Sequence, residues 1–202
     1  MYDFEVACFL AGTLIATPMG EVPVESLRAG DLVLTGPGRD VPQGLLWVGR
    51  TRTRIAGHPD PSRVAPILVR AGALGGGRPV RDLRVSPEHA LLLDGRLVPA
   101  GLLANGTTIV QEDWRPEALY WHLELPAHGI VWAEGAPAES YYDDGNRDQF
   151  DNHPVTALFR DFSPHQPRPR YTAAVCFPLL RDKAALDRLR ARLAGEAMRR
   201  SA

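Results

Sequence analysis

Cys8, Ser86, His89 and His128 are the side chains whose types and positions suit acyl chemistry. Cys8 opens a run of strand formers, Cys8-Phe9-Leu10-Ala11-Gly12-Thr13-Leu14-Ile15-Ala16-Thr17, with seven residues ahead of it. A cysteine at the head of its fold, its own amide joined to a short leader, is placed to attack the carbonyl just before it. Moving that acyl group from nitrogen to sulfur is uphill, because an amide is more stable than a thioester, and it needs three aids. The sulfur must become thiolate, although a free thiol has a pKa near ~8.5. The leaving nitrogen must be protonated. The peptide bond must lose part of its resonance by twisting or polarisation. Histidine suits the proton transfers because its pKa lies near working pH. The competing reading of Cys8 is a small apolar residue packing the first strand.

Two later stretches hold histidines beside partners. In Leu83-Arg84-Val85-Ser86-Pro87-Glu88-His89-Ala90, a hydroxyl precedes a histidine by three residues at a turn-to-strand junction. In the run from Ala118 to Gly135, His122 and His128 fall in a predicted hairpin. His58, His153 and His165 read as surface residues in loops.

The elements that must position these groups are short strands. Gly and Pro recur through the first two-thirds of the chain. Between them lie β-rich runs at Thr13–Thr17, Asp31–Thr35, Gly44–Val48, Pro66–Arg70, His89–Leu93, Thr107–Gln111, Leu119–Leu125 and Gly129–Ala133, which predict a compact all-β domain. Val22–Leu27 and Val98–Ala104 read as helical turns or loops, and their similarity hints at an internal duplication. The Gly-rich stretch Ala71–Pro79 reads as a loop. From Tyr141 to Arg170 the chain turns rich in Asp, Asn, Pro and Arg and reads as irregular. A helix follows near 182–200, with Leu186, Leu189 and Leu193 on one stripe, the pattern of a helix docked on its own domain.

Taken together, these blocks resemble the Hint module shared by inteins, bacterial intein-like domains and the processing domain of Hedgehog proteins. The run from Cys8 to Thr17 with Gly20, Leu27 and Gly30-Asp31 is similar to the family's opening block. Ser86-x-x-His89 is similar to its Thr-x-x-His block, and Tyr120 to Gly135 to its closing block. Val85-Ser86-Pro87-Glu88-His89, Leu102-Leu103-x-Asn105-Gly106 and Ala133-x-Gly135-Ala136-Pro137-x-Glu139-Ser140 resemble the bacterial Hint type 2 subgroup. The resemblance implies a horseshoe-shaped, pseudo-two-fold β domain over residues 8–140, a leader 1–7 and an extension 141–202. It also implies roles. Cys8 is the nucleophile, His89 contacts the Cys8 amide nitrogen as proton donor, Ser86 holds the scissile peptide, and His128 assists in resolving the intermediate. His122 stands where several relatives carry an acid and reads as a supporting residue. Thr13 reads as structural.

The implied activity is autoprocessing without a cofactor: an N-to-S acyl shift at Ala7-Cys8, with the upstream segment as substrate. Water or an external thiol, amine or alcohol would then release that segment. Full splicing is not expected. Glu139-Ser140 occupies the place of the intein His-Asn pair, and serine has no amide to cyclise; Asn152-His153 holds the pair in reverse order. The alternative is an inactive Hint-like scaffold or interaction module. Zinc held by Cys8, His89 and His128 is a weaker reading, because the spacing is no metal signature.

Composition limits the rest. The chain has 202 residues and a net charge of −1, so no basic excess calls for nucleic acid or an anionic membrane. Two distant cysteines make no disulfide framework. The N-terminal apolar run is shorter than the ~20 residues of a membrane span, and Asp3 and Glu5 argue against a signal peptide.

Overall fold

Alternating apolar residues between glycine and proline punctuation form strands only when each finds partners. In the computed structural model, which describes residues 7–143, 147, 150–152 and 175–201, they do so in two antiparallel sheets. In chain order the strands are β1 (Phe9–Leu10), β2 (Leu14–Thr17), β3 (Gly20–Pro23), β4 (Leu32–Thr35), β5 (Val41–Gly44), β6 (Trp47–Arg54) and β7 (Ile67–Val69). There follow β8 (Leu83–Val85), β9 (Ala90–Leu93), β10 (Arg96–Pro99), β11 (Ile109–Gln111), β12 (Glu117–Glu124), β13 (Ile130–Ala133) and β14 (Ala136–Glu139), then helix α1 (Lys183–Ser201). The mostly-β class is the one read from the sequence.

One sheet runs β11-β7-β8-β1-β12-β6. The other runs β10-β9-β14-β13-β2-β3, with β4 on β13 and β5 on β4. Strands β12 and β13 therefore belong to different sheets, and the hairpin expected around His122 and His128 does not form. Residues 125–129 instead carry the chain from one sheet to the other. Strand β6 extends well past the expected run at Gly44–Val48. Its arginines face out, while Thr51 and Thr53 alternate inward and are buried.

The suspected duplication has a structural counterpart. Strands β3 and β10 each end in a proline that starts a 3₁₀ turn, Val24–Ser26 and Ala100–Leu103. The prolines share one conformation, φ −57°, ψ 135° at Pro23 and φ −54°, ψ 133° at Pro99. Each turn is followed by a left-handed glycine, Gly30 at φ 93° and Gly106 at φ 75°, where a side chain would be strained.

The main core joins both sheets through Phe9, Ile15, Val33, Leu83, Leu91 and Leu123. Leu186, Leu189 and Leu193 of α1 enter the same core, so this stripe is packing surface. Ahead of the helix, Leu97 N–H donates to the Pro178 carbonyl at 3.0 Å and Leu180 N–H to the Leu97 carbonyl at 2.9 Å, which fastens the extension to the edge of β10. Leader residues 1–6, His153, His165 and most of the run read as irregular lie outside the described residues. Among the described residues, no helix is long and apolar enough to cross a membrane.

Candidate active site

Strand register builds the site. In β1, Phe9 pairs with Val85 of β8 on one side and with Trp121 of β12 on the other. One step back along these antiparallel ladders, Cys8 lies between Ser86 and His122. The two polar atoms of the Ala7-Cys8 peptide bond are then held by side chains. The Cys8 N–H donates to Ser86 Oγ at 3.0 Å. The Ala7 carbonyl accepts from His122 Nδ1 at 2.9 Å. The Ser86 N–H returns a bond to the Cys8 carbonyl at 3.0 Å. Cys8 and both anchoring residues are buried.

His122 sits in a fully buried pocket. The Phe150 ring meets it edge-on at 4.4 Å between centroids and Tyr141 at 5.9 Å. Burial disfavours the charged ring, and the contact with the Ala7 carbonyl only partly offsets this, so its pKa is pushed down to about 3. A carbonyl can only accept, so Nδ1 carries the proton and Nε2 is the bare nitrogen, buried without a hydrogen-bond partner among the described residues. The ring is a fixed neutral donor aimed at the carbonyl oxygen of the candidate scissile bond. Phe150 is held there by its own segment. Arg147 pairs with Glu124 and with Asp143, and its guanidinium lies 4.9 Å from the Trp47 ring centroid.

His89 follows a tight turn in which its N–H donates to the Ser86 carbonyl at 3.1 Å. Its Nε2 donates to the main-chain carbonyl of Glu139 at 3.1 Å. That assigns the proton to Nε2 and leaves Nδ1 buried, with no well-formed hydrogen bond among the described residues. Burial lowers the pKa of this ring, while Glu139 and the main chain of Cys8 favour its charged form. The Cys8 amide itself goes to Ser86. Phe9 covers one side of His89, with centroids 4.3 Å apart.

The Cys8 thiol is fully buried, among Leu10, Trp47, Ile55, Val64, Tyr120 and Phe150. Burial pushes its pKa up, and a hydrogen bond with Ser86 opposes this. Ser86 Oγ thus touches both the thiol and the amide nitrogen of one residue. Thr13 is structural, its hydroxyl donating to the Leu10 carbonyl at 2.6 Å.

His128 is placed elsewhere. Its Nε2 lies 3.2 Å from Glu139 Oε2, and its Nδ1 accepts the Cys176 N–H at 3.0 Å. Glu139 Oε1 accepts the Ala90 N–H at 2.8 Å. Glu139 therefore serves both rings, with its main chain on His89 and its carboxylate on His128. The structure gathers Cys8, Ser86 and His122 at one peptide bond, leaves His89 on the main chain of Glu139 and away from the Cys8 amide nitrogen, and sets His128 behind Glu139. His122 was legible only as an inward position, since it shares the alternation of the buried Ala118 and Tyr120. Among the described residues, no three His, Cys, Asp or Glu side chains are grouped to hold a metal ion, and both cysteines are free thiols.

The sequence matches the family model Hint_2, described as a Hint domain, over residues 7–145. The chain belongs to the Hint domain family. That is the family, and the subgroup, that the sequence blocks resemble. Its fold is that of autoprocessing and splicing domains. Solved structures similar to this Hint domain include three in the intein group. The bacterial intein-like domain from Clostridium thermocellum is 18% identical with a TM-score of 0.45, over 67% of this chain and 98% of that one. The gp41-1 intein is 16% identical with a TM-score of 0.47, over 65% and 97%. The Ssp DnaB mini-intein variant M86 is 10% identical with a TM-score of 0.49, over 68% and 96%. A search of curated proteins finds no match.

At the end of β14 this Hint domain carries Glu139 and Ser140, both buried. Ser140 Oγ accepts the Gly129 N–H at 3.0 Å. Asn152 is tied to β6, its Oδ1 accepting from Arg50 N at 3.2 Å and its Nδ2 donating to the Val48 carbonyl at 2.9 Å.

Proposed function

We propose that this Hint domain cuts its own chain at Ala7-Cys8 by an N-to-S acyl shift, and that the resulting thioester passes to water or to an external thiol, amine or alcohol. One observation carries the reading. Both polar atoms of that single peptide bond are held by side chains from remote strands, His122 on the oxygen and Ser86 on the nitrogen. Ordinary ladder pairing gives such atoms to main chain; here they face groups suited to donate and transfer protons.

The steps follow from that geometry. The Cys8 sulfur attacks the Ala7 carbonyl carbon, and the oxygen gains negative charge while His122 Nδ1–H remains on it. Such a preorganised donor in a dry site typically contributes about 10²–10³ in rate. The thiol proton leaves through Ser86 Oγ, which already contacts the sulfur. Once the nitrogen turns tetrahedral its lone pair becomes an acceptor, and the same hydroxyl delivers the proton there. The C–N bond then breaks, leaving Ala7 as a thioester on Cys8 and a free amine on the same residue. His89 keeps the turn carrying Ser86 in register, and its Nδ1 takes the proton given up by the water, thiol, amine or alcohol that attacks the thioester. Release without splicing accords with Ser140, which has no side-chain amide and is already committed to Gly129.

A second reading rests on a specific observation, the burial of the Cys8 thiol in an apolar cluster with a raised pKa. On that reading the domain is a scaffold that has kept the site's shape. One experiment separates them. A small folded protein is fused ahead of Met1 and the products are weighed by mass spectrometry with and without dithiothreitol. Cleavage between Ala7 and Cys8, faster with thiol and absent in Cys8→Ala, supports the acyl shift. An intact fusion over days with dithiothreitol leaves the scaffold reading standing alone.

A further inference from the structure

We propose that Phe150 is a positioning residue of the cleavage site, holding the His122 ring so that Nδ1–H faces the Ala7 carbonyl. This role rests on the cleavage reading above. The family match ends at residue 145, so the ring comes from outside the matched domain. Phe150 is buried and meets three aromatic groups edge-on: His122 at 4.4 Å between centroids, Trp47 at 4.8 Å and Tyr141 at 5.5 Å. It also belongs to the cluster that encloses Cys8.

Strand β6 is shaped to receive it. Directly across the ladder from His122 stands Gly49. A Cβ there would overlap the Trp47 ring, so the glycine leaves room for the indole against which Phe150 packs. The chain beyond Phe150 then fastens to the outer edge of β6, the last strand of its sheet. Asp151 N–H donates to the Arg50 carbonyl at 3.0 Å, and Asp151 Oδ2 accepts the Arg52 N–H at 3.0 Å. Asn152 adds its bonds to Arg50 and Val48. Ahead of Phe150, Arg147 pairs with Glu124 and Asp143. The ring is thus tied down on both sides.

What this enclosure governs is the tautomer. A neutral imidazole carries one N–H, and only Nδ1–H can donate to the Ala7 carbonyl. With the proton on Nε2 instead, a lone pair would face the carbonyl oxygen, and the new N–H would be buried with no acceptor among the described residues. A buried donor without an acceptor is costly, so the enclosure selects Nδ1–H. Without Phe150, water reaches Nε2 and the penalty on a proton there falls away. The charged and titratable groups around the ring are His89, the Tyr141 hydroxyl, the Cys8 thiol and Arg147 with its two carboxylates. Burial outweighs them, and the ring stays neutral with its pKa at about 3.

The test uses the full chain with Cys8→Ala, in which the Ala7 carbonyl stays in place. Nitrogen NMR reads which ring nitrogen of His122 carries the proton from about pH 4 to 8, the signals being assigned by their loss in His122→Phe. With Phe150 present, Nδ1–H alone is expected, with little titration. Phe150→Ala should give a mixture with Nε2–H and a pKa raised toward the ordinary value near 6.5. In the N-terminal fusion that retains Cys8, the same change should slow cleavage about 10- to 100-fold, the cost of a misplaced group. Phe150→Leu, which refills much of the space, should recover most of both readings. Asn152→Ala, which loosens the hold on β6 without touching the ring, should move both the same way by less. If thermal melting shows Phe150→Ala unfolded, these two variants decide. An unchanged tautomer and pKa, or a changed tautomer with an unchanged cleavage rate, overturns the inference. A fusion that never cleaves removes the cleavage reading, and the role in it, even where the tautomer shows Phe150 holding the ring.

Discussion

The two cysteines sit in opposite settings along one hydrogen-bonded series. Cys8 is fully buried in an apolar cluster, its thiol stabilised as the neutral acid, and on the proposed reading its attack needs the adjoining carbonyl polarised. Cys176 is half-buried beside an imidazole and a carboxylate, with a cleft in front of it. Glu139 stands between them, holding His89 by its main chain and His128 by its side chain. The lesson is that burial alone does not rank reactivity. An enclosed thiol meets few reagents from outside, while a half-buried one stands open to whatever enters its cleft.

The comparison can be broken most sharply by exchanging the two roles. Cys8→Ala is expected to abolish cleavage of an N-terminal fusion, while Cys176→Ser keeps it; loss of cleavage in both variants, read by mass spectrometry, would dissolve the distinction. Next comes the carbonyl end. His122→Phe is expected to slow cleavage by about 10²–10³, the usual cost of losing an oxyanion donor. Little change in the single-turnover rate would remove His122 from the mechanism. Ser86→Ala is expected to cost about 10- to 100-fold, at the lower end of the range for proton-transfer groups, and Ser86→Thr should recover most of it. The smallest effects concern stability against pH. The folded pKa of His128 lies above the ordinary value near 6.5, so its contribution is fully present below about 6.5 and fades as pH rises through about 9. His122 has the opposite sign. It is neutral in the fold and pushed down to about 3, so stability falls as pH drops below about 6.5, where the unfolded ring takes a proton. Thermal melting of the wild type and His128→Gln from pH 4 to 10 checks both slopes.

Much of the site could be read in the sequence because its chemistry is local. Ser86 and His89 sit three residues apart in one turn, and Cys8 heads the first strand, so each falls in a short contiguous block whose resemblance to the family nominates it. His122 could not be placed in the same way. Its role depends on β1 pairing with β12, a contact between residues more than a hundred positions apart, and nothing beside it in the chain signals that register. Strand β14 was missed because Ala136-Pro137-Ala138-Glu139 has weak strand character. It forms because β13 and β9 flank it, with Pro137 opposite Trp132. The outer arginines of β6 hid a strand whose inward positions beyond Gly49 are threonines. Cys176 carried no sign at all, since its partners come from the crossing and from β14.

The enclosure of the Ala7-Cys8 bond touches main-chain atoms on both sides. A grip of that kind is indifferent to what is attached upstream. Its selectivity lies in the counting of residues: inserting one residue between Cys8 and Phe9 would present a different bond to the same two side chains, whereas exchanging the passenger ahead of Ala7 would leave the grip unchanged. On the proposed reading the module is therefore portable: it would choose where to act by ladder position and take no account of cargo.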